Sequence, residues 1–302
     1  MNVKVSSVSP ATQREPGSVV ERWRELYLQR VEAVSRLNDR RMLHRLQGFG
    51  TWPVILVDLI LLLIIILILS FVLLFGAVGV IAVHDGAFTK GLTSSSMSAV
   101  LKSAADWLIS PGGLAVGALI TQLSIVAVLY WRLIAPRIMT WADIGYGPSL
   151  RDRPLRAFLY GLGVGVAAYA VGLIILTILQ HFNVDINGQQ NTLKSVKHSA
   201  IWVFIPFALT AAVTAPLAEE AFFRGYMLKA MSVRYGLPWG IGCSSVAFGA
   251  LHLLGNVGYE AIALGAVGAV LGWGYSRTGN MITNVTAHMF NNVIGLILLY
   301  NM

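Results

Sequence analysis

The sequence predicts an all-α fold, a polytopic bundle of about seven or eight transmembrane helices, and three observations predict it. Of 302 residues, 56% are hydrophobic and 12% charged, whereas a soluble domain carries about 25% charged residues. The apolar tracts are long: Leu59–Leu69 is unbroken Leu and Ile within a run from Trp52 to Val83, more than the ~20 residues that cross a bilayer. The net charge is +8, and the Lys and Arg residues gather beside the apolar tracts as the positive-inside rule requires. That placement argues for contact with a lipid bilayer and against nucleic acid as a partner.

The first element is polar. Residues 1–50 hold nine Lys/Arg, and from Ser18 to Leu46 the apolar positions Val20, Trp23, Tyr27, Val31 and Val34 recur every three or four residues. This spacing predicts a basic, cytoplasmic amphipathic helix, lying on the membrane surface or packed against another helix. Residues 51–302 form the transmembrane domain. Its first span is Trp52–Val83, with Asp58 near the start, where snorkelling or a local contact is the expected role. A Ser-rich stretch with a short helix at Ser98–Ile109 follows. The second span is Leu114–Ile134, the third Phe158–Leu179 and the fourth Ile201–Leu217. After the charged stretch Glu219–Tyr235 come three segments rich in small residues, which let helices approach closely: Trp239–Leu254, Tyr259–Tyr275 and Met281–Tyr300. With seven spans and a cytoplasmic N-terminus, eighteen Lys/Arg fall on the cytoplasmic side and four outside. The expectation is therefore a multi-pass protein of the inner or plasma membrane, with Glu219, Glu220 and Arg224 at the cytoplasmic end of their helix. The single cysteine, Cys243, excludes an intrachain disulfide and a four-cysteine zinc site.

Ionisable residues within spans are site hypotheses by default, and the last third of the chain carries several. On a helix Glu220 and Arg224 share a face and pair, while Glu219 points about 100° away. Adjacent carboxylates repel, so one is able to hold its proton more tightly and serve as a general base; a structural salt bridge at a helix end explains the same residues. His252 follows Phe248 late in an apolar helix, where a hydrogen-bonded core histidine is the plain alternative. His288 and Asn292 are four apart on one face, placed to donate to an oxyanion or to join two helices. Together these residues suggest a polar chamber. In it Glu219 and His252 hold and deprotonate a water, His288 and Asn292 stabilise the tetrahedral oxyanion, and Arg224 fixes Glu220. The set Glu219, His252 and His288 equally matches the ligands of a catalytic zinc, although no His-Glu-x-x-His helix is present.

Three motifs carry a resemblance. Glu219, Glu220 and Arg224 read as EExxxR, Phe248 and His252 as FxxxH, and His288 and Asn292 as HxxxN, with the turn Thr278-Gly279-Asn280 before the last span. In this order they resemble the CAAX-protease and bacteriocin-processing (CPBP, or Abi) family, which includes the type II CAAX prenyl endopeptidases. The resemblance covers about residues 200–302. It implies a chamber open to the cytoplasm and the bilayer, with Glu219 as water-activating base aided by His252 and with His288 and Asn292 as the oxyanion pair. It implies a hydrolase that cuts a membrane-associated protein or peptide, near its C-terminus or within it. No cofactor is expected, with zinc as the alternative. A non-catalytic membrane scaffold or immunity protein of the same fold is the rival reading. A transporter is disfavoured, because no internal repeat of the kind common in that class is found.

Overall fold

The structure is a computed structural model that describes residues 44–84, 86, 93–146, 154–186, 196, 200–255 and 258–301. All but the last three residues of the expected Ser18–Leu46 helix lie outside the described residues. Among the described residues the fold is helical, with no strand. We number the helices α1 (Trp52–His84), α2 (Ser94–Leu108), α3 (Pro111–Ile134), α4 (Pro154–His181), α5 (Ile201–Tyr235), α6 (Leu237–His252), α7 (Glu260–Thr278) and α8 (Met281–Asn301).

Five of these, α1, α3, α4, α5 and α8, are long and apolar enough to cross a membrane, and the chain is a multi-pass membrane protein. The other two expected spans are the helices α6 and α7. With 16 residues, α6 extends only about 24 Å at 1.5 Å per residue, short of a ~30 Å hydrocarbon core. The two pack together, and α7 also packs on α4. Glycines permit close approach: a Cβ at Gly249 of α6 would meet the Ala261 carbonyl oxygen of α7 at 2.5 Å, and one at Gly161 of α4 the Thr283 carbonyl oxygen of α8 at 2.7 Å. Backbone atoms cannot swing aside as a side chain can. Gly249→Ala is therefore expected to destabilise the protein by about 1–3 kcal/mol, as overpacking does, read as a lowered thermal unfolding midpoint in detergent.

The ends of the early helices follow local chemistry. A capping box between Thr93 and Ser96 starts α2 at Ser94, four residues earlier than its apolar pattern predicts. Ser110 caps α3, with Pro111 in the first turn, where a missing N–H costs nothing. Along α1, Ile55, Asp58, Leu62 and Ile66 form the buried stripe, while Leu56, Ile60, Ile64, Ile68 and Phe75 are exposed. Exposed aliphatic side chains of this kind suit lipid.

Helix α5 is the axis of the bundle. Its apolar run ends at Leu217, yet the helix continues unbroken through the charged stretch to Tyr235, 35 residues in all. Every side chain from Ala218 to Val233 is buried. The helix passes through two π-helical segments, Thr210–Thr214 and Ala221–Leu228, a local geometry that recurs at functional sites. Asp58 is fully buried rather than snorkelling: Arg132 Nε donates to it at 2.5 Å, and the Tyr226 hydroxyl donates to its other oxygen. This network ties α1 and α3 to the π segment of α5.

Candidate active site

Glu219 and Glu220 do not lie at a helix end. They are residues 19 and 20 of the 35 in α5, immediately before the longer π segment. Consecutive helical residues point about 100° apart, so the two carboxylates meet different neighbours.

Glu220 is fully buried and fully engaged. Its Oε1 accepts from Arg224 Nη1 at 2.9 Å and faces His288 Nδ1 at 3.0 Å, and its Oε2 accepts from Asn284 Nδ2 at 3.0 Å. Arginine and the amide nitrogen of asparagine only donate, so the carboxylate accepts from both, and His288 Nδ1 stands within hydrogen-bond distance of the same Oε1. Arg224, itself fully buried, gives Nη2 to the Gly268 carbonyl at 2.8 Å and lies 4.7 Å from the Phe248 ring centre.

Glu219 is the opposite case. It is 9% exposed, and its buried Oε2 has no hydrogen-bond partner. The nitrogen nearest to it among the ion pairs of the described residues is His288 Nε2, 3.8 Å away. The imidazole of His288 thus stands between the two carboxylates, with Nδ1 on Glu220 and Nε2 toward Glu219. An interior carboxylate oxygen without a partner is rare enough to require a reason.

His252 does not reach Glu219 by any hydrogen bond. Its Nδ1 donates to the carbonyl of Phe248 at 2.8 Å, one turn back, which leaves Nε2 as the accepting nitrogen of the neutral ring. Its ring centre is 4.8 Å from that of Phe248, whose ring is in turn 5.5 Å from His288. Phe248 is 1% exposed and is the apolar partition against which both imidazoles and Arg224 rest. Asn292 gives Nδ2 to the carbonyl of Ala211 at 2.8 Å, within the shorter π segment of α5. A π turn displaces the regular i→i−4 pairing, and this amide supplies the carbonyl with a donor. Asn291 bonds the carbonyls of Gly165 and Ala287, joining α8 to α4.

Two residues at the site are not among those singled out from sequence. Asn284 is fully buried on Glu220. Its signal is spacing, since Asn284, His288 and Asn292 fall at intervals of four on one stripe of α8. Tyr146 lies outside the spans, after Gly145 at φ +130°, a conformation that favours glycine. Its hydroxyl donates to the Leu217 carbonyl at 2.5 Å. Burial, and then the charge of Glu220, push its phenol above the usual tyrosine range, so it remains a donor. No sequence pattern marks this residue.

Among the described residues, no three His, Cys, Asp or Glu side chains gather as a metal-ion ligand set. Glu219, His252 and His288 do not converge as such a set in this geometry.

Comparison with curated proteins and with solved structures gives no match. A family model described as type II CAAX prenyl endopeptidase Rce1-like matches residues 201–294. The matched segment contains the polar residues Glu219, Glu220, Arg224, His252, His288 and Asn292 together with Phe248. By this match, the last third of the chain is similar to the type II CAAX prenyl endopeptidases, consistent with the CPBP family.

Proposed function

We propose that the protein is a membrane-embedded endopeptidase in which Glu219 activates a water for attack on a peptide bond. The observation that supports this reading is the contrast between two adjacent carboxylates. Glu220 is saturated by Arg224, Asn284 and His288, whereas Glu219 keeps an enclosed oxygen uncommitted beside His288 Nε2. A base must have a lone pair free to take a proton, and Glu219 has one.

In the reaction, Glu219 takes a proton from water as the water oxygen bonds to the scissile carbonyl carbon. The carbonyl π pair moves to oxygen and forms the tetrahedral oxyanion. With Nδ1–H held by Glu220, Nε2 is the nitrogen of His288 that meets the reacting atoms; in the imidazolium form, flanked by two carboxylates, it donates Nε2–H to the oxyanion and keeps both ring protons through the step. Asn292 uses one N–H on Ala211 and has the second to offer. On collapse the carbonyl re-forms, the C–N bond breaks, and the proton on Glu219 passes to the departing amine. His252 is assigned to the substrate side, orienting water or the scissile carbonyl through its free Nε2. Arg224 and Phe248 support the site without touching the reacting atoms.

The substrate class is a membrane-associated protein or peptide, cut near its C-terminus or within it. The name of the matching family model points to prenylated C-termini as the first panel to try. The eighteen-to-four distribution of Lys/Arg supports a cytoplasmic N-terminus in an inner or plasma membrane.

The test is cleavage of membrane-associated peptides, prenylated and unprenylated, by the purified protein in liposomes with and without a chelator. Activity is expected to survive the chelator, since the mechanism uses only side chains. Activity lost to the chelator and restored by zinc would overturn the metal-free mechanism and make Glu219, His252 and His288 the ligands to test. If the wild type cleaves nothing while Glu219→Gln preserves a cellular phenotype, the scaffold reading replaces the peptidase.

A further inference from the structure

The side chain of Asn284 accounts for more than packing. It is fully buried, and both protons of its amide are used: one on Glu220 Oε2 at 3.0 Å, the other on the Leu271 carbonyl at 2.9 Å. Those two acceptors fix which way the amide is turned, because an amide oxygen cannot serve either of them. The consequence is that Oδ1 lies buried with no partner. An unsatisfied buried acceptor costs stability, and a residue retained at such a cost needs an explanation.

Both donors that flank the Glu220 carboxylate are anchored on the same helix. Arg224 reaches back to the Gly268 carbonyl, and Asn284 to the Leu271 carbonyl, three residues apart on α7. Gly268 leaves the room for this, since a Cβ there would stand 3.2 Å from Arg224 Nη2. Helix α7 is thus a rail from which two donors grip the two oxygens of one carboxylate. With Oε2 held by Asn284, the carboxylate plane is set and Oε1 is presented to His288 Nδ1.

We infer that Asn284 is a positioning residue that, through Glu220, keeps a proton on His288 Nδ1 and holds Nε2 turned toward Glu219. This rests on the peptidase reading for its use but not for its test. The logic is that of the buried carboxylate of a Ser-His-Asp triad, which sets the tautomer of its histidine by accepting from Nδ1–H. Here an amide in turn sets the carboxylate.

The experiment is magic-angle-spinning NMR of the full-length protein in liposomes, with 15N-labelled histidine and the His288 signals assigned by their loss in His288→Gln. Wild type, Asn284→Leu (similar volume, no donors) and Asn284→Ala are compared. The wild type is expected to show His288 protonated at Nδ1. Both variants are expected to shift its signals toward partial loss of the Nδ1 proton while retaining cooperative thermal unfolding. Where a cleaved substrate is in hand, kcat should fall about ten- to a hundredfold with KM within about twofold, since positioning losses appear in the chemical step. A wild type with His288 protonated only at Nε2 overturns the inference, even if neither variant folds. Unchanged His288 signals in folded variants overturn it as well. A wild type that cleaves nothing overturns the peptidase reading alone, because the NMR result does not depend on turnover.

Discussion

Glu219→Gln is expected to reduce peptide cleavage by about a thousandfold and to leave the thermal stability of the protein almost unchanged. The two halves of this expectation have one cause. Glutamine matches glutamate in shape but has no basic oxygen, and a positioned general base contributes about 10²–10⁴ in rate. Because Glu219 Oε2 has no hydrogen-bond partner, no bond made by that oxygen is lost on substitution. The stability change should stay within about 1 kcal/mol, the range of a side chain that is not part of a buried network. Paired assays check it: initial cleavage rates in liposomes and unfolding midpoints in the same detergent. A variant within tenfold of wild-type activity would remove Glu219 from the role of base. A loss of several kcal/mol would mean that the carboxylate is structurally committed, contrary to its geometry.

The fold was legible wherever apolarity alone decides. Trp52–Val83 and Phe158–Leu179 differ from α1 and α4 only at their ends, because a run of Leu, Ile and Val long enough to cross lipid has few alternatives. Helix α5 was not legible in the same way. Its hydrophobic run stops at Leu217, and the charged residues beyond read as a boundary, while in the structure they lie in the most enclosed part of the bundle. Burial of Glu220, Arg224 and Lys229 depends on partners from distant segments, such as Asn284 and the carbonyls of Gly268 and Asp143. Hydropathy in one window carries no information about those partners. Asp58 illustrates the same limit: its partners Arg132 and Tyr226 come from two other helices.

The site shows what spacing reveals and what it leaves hidden. The four-residue interval placed Glu220 against Arg224, and the pair forms at 2.9 Å. The interval could not rank the two glutamates beyond the geometry of a helix wheel. Nor did it place His288 between them, since that depends on how α8 docks on α5. Asn284 shared the stripe of His288 and Asn292 but was hidden among the polar residues Thr283 and Thr286, which mark the same stretch as a helix start. The π segments, which turn the carbonyl of Ala211 toward Asn292, leave no compositional trace at all.

Arg224→Ala is expected to destabilise the protein by about 3–5 kcal/mol, the cost of leaving one member of a buried ion pair uncompensated. The pair is enclosed on every side, with both side chains fully buried, so water cannot replace the missing partner. Glu220 would keep its bonds from Asn284 and His288 but lose the guanidinium charge on its carboxylate, and the Gly268 carbonyl would lose its donor. Arg224→Lys should recover little of this loss. A single ammonium cannot reach Glu220 and the Gly268 carbonyl from one planar fork while resting on the Phe248 ring. The decisive comparison is a double replacement, Glu220→Leu with Arg224→Met, which removes both charges and keeps the volume. If the pair is a buried charge balanced by its partner, the double variant loses less stability than Arg224→Ala alone, because no orphaned charge remains. Unfolding midpoints of Arg224→Ala, of the single replacements Glu220→Leu and Arg224→Met, and of the double variant in one detergent supply the test. A double variant as unstable as the sum of the single replacements would mean that each residue acts through separate packing contacts. The same double variant removes the acceptor of His288 Nδ1, so it should be inactive even where it is well folded. Activity is then lost at either glutamate, but only at Glu220 does keeping the fold require a compensating change, whereas at Glu219 the fold is kept without one.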